Sequence, residues 1–179
     1  MAFVELIRES EDVPNYEAAF ARRPAIYAAW QQLNGAIKDS MDLRRYELVT
    51  VAAAKRLRSS YCMLAHGGIL ARDHLPPEQL RDVALDHRTA GLEPADVAAM
   101  DLAEKIAADA TSVTPEDVER LRAFGLDDGD IVSVVAAATA RCFFSKTLDA
   151  LGVQPDARYS DVEPDLRGAL VVGRPIEGE

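Results

Sequence analysis

The chain has 179 residues, 49% of them hydrophobic and 28% charged, with a net charge of −10 at pH 7. That length fits one domain with a sizeable core, and the composition is ordinary for a globular protein rather than a disordered or fibrous one. The acidic balance argues against nucleic acid and anionic membranes as partners, no stretch reaches ~20 uninterrupted apolar residues, and no signal peptide is expected.

Two cysteines, Cys62 and Cys142, are too few for a disulfide framework. A cytoplasmic protein with reduced thiols is therefore expected. Helical periodicity and Pro/Gly punctuation run through the chain, no strand pattern persists, and no repeat is present, so the fold should be all-α.

Residues 1–13 read as an extended lead-in, followed by a short helix over 16–21. Pro24 suits the first turn of a helix over 24–37. Ile26, Trp30, Leu33 and Ile37, with Ala29 beside them, mark its expected buried stripe. Ser40 or Asp42 can cap the next helix, 43–56. On it Leu43 and Val51 lie one turn either side of Glu47, and Ala54 a turn further on. A carboxylate on so apolar a stripe is unusual, because burying it unpaired is costly. Either Glu47 is ion-paired with Arg44 or Arg58 at a rim, or it sits in a pocket with a raised pKa suited to proton transfer.

Ser59 can cap a helix over 60–73 that holds Cys62 and His66. Gly67 and Gly68 inside it cost roughly 1 kcal/mol each relative to Ala, and invite close approach of another helix. Shorter helices follow over 77–86 and 94–108, the latter with Val97, Met100, Leu102 and Ile106 as apolar positions. Thr114 and Pro115 start a helix that ends at Phe124-Gly125. Acidic residues 127–130 precede a long helix over 131–151, whose first half is apolar nearly all round. Such a helix is central, or lies between the core and a second subunit. The helical domain should span residues 1–156. Pro155, Pro164 and Pro175 then punctuate an extended C-terminal tail, 157–179, with one apolar cluster at Ala169-Leu170-Val171-Val172.

Chemistry concentrates at Ser59-Ser60-Tyr61-Cys62-Met63-Leu64-Ala65-His66. The four-residue spacing puts Cys62 and His66 on one helical face, one turn apart. Three features favour a thiolate at Cys62: the helix N-terminus, the nearby imidazole, and Glu47 as a proton relay if the preceding helix packs alongside. The plainer alternative makes Cys62 a core hydrophobe and His66 a satisfied core histidine. A metal held by Cys62, His66 and Glu47 would lack the paired ligand spacings of zinc sites, so no metal or cofactor is expected.

The pattern Glu47-x11-Ser59-x2-Cys62-x3-His66 resembles the Glu-x11-Cys-x2-Cys-x3-His signature of alkylhydroperoxidase D (AhpD)-like proteins, in the carboxymuconolactone decarboxylase superfamily. Phe20-Ala21-Arg22-Arg23-Pro24, the run from Met41 to Val49 and the run from Phe144 to Val153 resemble the flanking sequence of its peroxidase-related branch. The resemblance implies an AhpD-like helical bundle and homo-oligomers, commonly trimers or hexamers. It implies that Cys62 is the peroxide-reactive thiol, that Glu47 and His66 relay protons, and that Ser59 stands where the partner cysteine would be. Serine cannot resolve an oxidised thiol, so turnover would need an external thiol reductant, or Cys142 with its Cα within ~7 Å of that of Cys62. The expected function is thiol-dependent reduction of a small-molecule hydroperoxide. The alternatives are a decarboxylase-like acid–base enzyme acting on a lactone-type substrate, with Glu47 and His66 as its working pair, or a non-catalytic relative that binds a partner.

Overall fold

The computed structural model describes residues 2–8, 10 and 12–179. Among them lie nine α-helices and no strand: α1 Asn15–Phe20, α2 Pro24–Asp39, α3 Leu43–Arg56, α4 Ser60–Asp73, α5 Pro77–Asp86, α6 Pro94–Asp109, α7 Pro115–Ala123, α8 Asp128–Ala150 and α9 Pro164–Leu170. The fold is all-α, as the periodicity requires.

Local chemistry sets the helix starts. Asp42 accepts a hydrogen bond from the Arg45 backbone N–H at the head of α3. A reciprocal box between Asp127 and Asp130 caps α8. Proline stands in the first turn of α2, α5, α6, α7 and α9, where its missing N–H costs nothing.

The core is organised around α3, in which every residue from Tyr46 to Ala54 is buried. Its run Ala52-Ala53-Ala54 lets neighbours come close, and α4, α6 and α8 all pack on it. Helix α8 is long and apolar enough to span a membrane by length and composition, yet more than half of that stretch is buried inside the fold. It is a core helix with one open face: Ile131, Val134, Ala137 and Ala138 are buried, while Val132 and Phe143 are 67% and 46% exposed.

The expected stripe on α2 is corrected. Trp30 and Ile37 are buried, but Ile26 and Leu33 are 48% and 53% exposed. The apolar arc of α2 is wider than the arc that meets the body, and the surplus faces outward.

The segment after residue 156, expected as an extended tail, carries a 3-10 turn over Ala157–Asp161 and the short helix α9. It packs back on its own domain, against α5 and α4. Leu170 is buried beside Gly67, where a Cβ would come within 3.1 Å of its methyl carbons; Gly68 faces open space. The expected helix-on-helix approach at this pair is thus a side chain seated over one glycine. The closest backbone approach lies elsewhere, at Gly173, where a Cβ would fall 1.9 Å from the Arg58 carbonyl oxygen. Arg58 itself adopts a left-handed φ of 58°. The Gly173 N–H donates to Ser60 Oγ at 2.8 Å. The C-terminal segment therefore clamps the α3–α4 junction immediately before Cys62.

Candidate active site

Cys62 is the third residue of α4 and is buried. Two side chains from α8 reach its sulfur: Ser145 Oγ at 3.2 Å and Arg141 Nη1 at 3.5 Å. They are four residues apart, one turn, so both project from one face. Neither was singled out in the sequence. The available signal was an arginine and a serine at helical spacing in an otherwise apolar helix, and that pattern is equally common on a solvated face.

Cys142 follows Arg141, about 100° further round α8, and does not line the cavity that Arg141 and Cys62 share. It is half-buried, and burial pushes its thiol up. Both cysteines are free.

Glu47 and His66 meet as expected. Glu47 Oε2 lies 2.5 Å from His66 Nδ1, and Lys38 Nζ lies 3.8 Å from Glu47 Oε1. Neither Arg44 nor Arg58 pairs with Glu47: Arg44 joins Arg45 on the buried Asp96, and Arg58 Nε donates to the Val172 carbonyl. Burial raises the Glu47 carboxyl, but the His66 hydrogen bond and the charges of His66, Lys38 and Arg141 outweigh it, so its pKa is lowered. The expected raised carboxyl pKa is thereby overturned. Burial and the Arg141 charge hold His66 down to about 4, against the opposing pull of Glu47. At neutral pH the pair is a carboxylate and a neutral imidazole. With Nδ1 donating to Glu47, His66 Nε2 is left as an acceptor.

Cys62, His66 and Arg141 open on one cavity of about 210 Å³, walled by Tyr16, Tyr27, Trp30, Tyr61 and Phe144 with Asn34 and Ala65. Trp30 and Phe144 stack at 4.9 Å, and Tyr16 meets Tyr61 edge-on at 5.8 Å. The Tyr61 hydroxyl bonds to Asp156; burial, then Asp156, keep this phenol far above its ordinary pKa. Glu47 stands behind His66 rather than on the wall.

Ser59 is the N-cap residue of α4, but its hydroxyl makes no capping bond. It is fully buried, has no hydrogen-bond partner of ordinary geometry and does not line the cavity. Burial raises the Asp149 carboxyl, and the Ser59 hydroxyl partly offsets that rise. The structure thus brings Cys62, His66 and Glu47 together and leaves Ser59 behind the helix terminus.

Away from this cavity, His87, Asp101 and Glu104 place ligand-type atoms within reach of one another. Cations already occupy that cluster: Arg88 lies 2.6 Å from Asp101 and 2.9 Å from Glu104, and Arg120 lies 2.9 Å from Asp101. It is an ion-pair network between the turn that follows α5, helix α6 and helix α7.

Residues 24–105 match the model of the carboxymuconolactone decarboxylase family. The fold matches a peroxidase-related protein with an AhpD core from Ralstonia eutropha at 25% identity and a TM-score of 0.76, covering 82% of this chain and 79% of that one. Residues 24–105 thus carry a carboxymuconolactone decarboxylase family region within an AhpD-like fold. Other solved structures share the AhpD-like fold at lower identity. A peroxidase-related protein from Silicibacter sp. TM1040 is 22% identical, with a TM-score of 0.75 over 83% of this chain and 80% of that one. The debrominase Bmp8 is 15% identical, with a TM-score of 0.72 over 88% and 81%. No protein of curated function matches the chain. Within this AhpD-like fold, Cys62 and His66 of the motif line the cavity, Glu47 stands behind His66, and Ser59 is the departure from the motif.

Proposed function

We propose that this AhpD-like protein is a peroxidase-related thiol oxidoreductase that reduces hydroperoxides through Cys62 alone. One observation carries the reading: the Cys62 sulfur takes hydrogen bonds from Ser145 and Arg141 and opens on the same cavity as a neutral, Glu47-anchored His66. A core cysteine needs none of these.

In this reading His66 Nε2 takes the thiol proton, and the Glu47 carboxylate supports the imidazolium that forms. The Cys62 thiolate attacks the terminal oxygen of the hydroperoxide. The S–O bond forms as the O–O bond breaks, and the alkoxide leaves with the proton returned by His66. The cysteine is oxidised to a sulfenic acid and the hydroperoxide is reduced to an alcohol. An external thiol then displaces water from the sulfenic acid to give a mixed disulfide, and a second thiol releases Cys62. Such thiols are abundant in the cytoplasm, the compartment this chemistry fits.

Mixing the protein with cumene hydroperoxide and trapping the product with dimedone tests the proposal. Sulfenic acid should form at Cys62 far faster than on free cysteine, and the rate should collapse in His66→Ala. A rate equal to that of free cysteine would end the thiol reading and leave Glu47 and His66 as an acid–base pair for a lactone-type substrate.

A further inference from the structure

Arg141 is a buried cation short of an anion. The residue is 3% exposed. Of the five N–H donors of a guanidinium, one reaches Cys62 Sγ and one reaches Tyr46 Oη at 3.4 Å, while Nε has no partner. Glu47 feels its charge, but both Glu47 oxygens are engaged, one by His66 and one by Lys38. The rings of Trp30 and Phe144, at 5.7 and 5.4 Å, soften the charge without neutralising it. A buried charge left uncompensated is strongly unfavourable.

A Cys62 thiolate, formed when the thiol gives up its proton in the reaction proposed above, would supply a counter-charge. Once the sulfur carries an oxygen or a mixed disulfide, that counter-charge is gone, and the guanidinium faces the cavity alone. An anionic group on the molecule occupying the cavity would replace it. The remaining walls are flat and aromatic. The volume of about 210 Å³ corresponds to about seven water volumes. That is room for one substituted ring.

We infer that the cavity binds a small planar carboxylate, with the carboxylate on Arg141 and the ring among Tyr16, Tyr27, Trp30 and Phe144. Combined with the thiol chemistry proposed above, on which this step rests, the natural substrate is a hydroperoxide of a small aromatic or unsaturated acid. Binding itself requires no redox step, so the two ideas fail separately.

Benzoate and its neutral isostere benzamide are the probes, measured on the full chain by calorimetry and by protection of Cys62 from iodoacetamide. Benzoate should bind about tenfold or more tightly than benzamide, the margin expected of a charge-assisted contact, and should slow alkylation. In Arg141→Leu the preference should fall to about one, while Arg141→Lys, which keeps the charge but loses the fork, should retain part of it. If Arg141→Leu does not fold, the wild-type ratio still decides. Equal affinity for the two probes, or no protection of Cys62 by benzoate, would overturn the inference. Failure of Cys62 to form a sulfenic acid, with benzoate still preferred, would remove the peroxidase reading alone.

Discussion

Ser145 Oγ donates to Cys62 Sγ across 3.2 Å, although the two residues are 83 positions apart in sequence. Loss of that hydrogen bond in Ser145→Ala should slow sulfenic acid formation by roughly three- to tenfold, the scale of one hydrogen bond of about 1 kcal/mol. Stopped-flow measurement of the oxidation rate checks it. An unchanged rate would make Ser145 a packing residue.

The His66 pKa of about 4 fixes the sign of the pH dependence. His66 is the neutral acceptor above that value, so oxidation of Cys62 should persist to about pH 5 and fall as the imidazole protonates. Stability follows the same direction. The folded pKa lies below the ordinary 6.5, so the unfolded chain binds more protons between the two values. The resulting stability is fully present above about pH 6.5 and is lost as pH falls toward 4. The lowered Glu47 carboxyl acts in the same sense, over a more acidic range. Urea unfolding at several pH values should show this slope, and the part lying between pH 6.5 and 4 should flatten in His66→Gln.

Two adjacent glycines on α4 should respond oppositely to substitution. Gly68 has open space where a Cβ would go, so Gly68→Ala should stabilise the protein by about 0.5–1 kcal/mol through helix propensity. Gly67 faces the Leu170 methyl carbons at 3.1 Å, and Gly67→Leu should cost about 1–3 kcal/mol by overpacking. Thermal unfolding of the two variants reports both signs. A destabilised Gly68→Ala would contradict the open face.

Ser59→Cys should restore part of a two-cysteine cycle. The Ser59 hydroxyl makes no capping bond, so the swap should not carry the ~0.5–2 kcal/mol cost of losing a cap. Oxidation of the variant should give a 59–62 disulfide by mass spectrometry and added turnover with a dithiol. The wild type should stall as a sulfenic acid or mixed disulfide. A variant that forms the disulfide yet reduces hydroperoxide no faster would separate Cys62 from peroxide chemistry.

Ile26 and Leu33 on α2 and Val132 and Phe143 on α8 are exposed apolar side chains. The two helices pack together and Trp30 meets Phe143 at 5.8 Å. We propose that these side chains take part in the homo-oligomer that the family resemblance implies. Light scattering at micromolar concentration should give a mass above 19.5 kDa, reduced by Leu33→Lys with Phe143→Lys. A monomeric wild type would reject assembly through this face.

The helices themselves were legible in the sequence because their signals are local. Asp42, Thr114, Asp127 and the prolines mark where helices begin, and apolar periodicity runs between them. The pairing of Cys62 with His66 was legible for the same reason, since one turn of helix fixes it. The Glu47–His66 contact was anticipated only on condition that α3 and α4 lie side by side. Partners brought together by packing were not legible. Arg141 and Ser145 meet Cys62 because α8 lies against α4's end of the core, and the spacing along α8 says only that the two share a face. The ionisation of Glu47 reversed its expected direction because the result depends on which charges surround it, and Lys38 and Arg141 come from two other helices. The same limit applied on α2: periodicity gave the apolar arc, while the width of the buried arc depends on how much of it the body covers. Sequence determined the elements and the chemistry one turn can hold. Tertiary structure decided which buried cation, which hydroxyl and which aromatic walls surround the thiol, because desolvation and Coulomb interactions act through space and not along the chain.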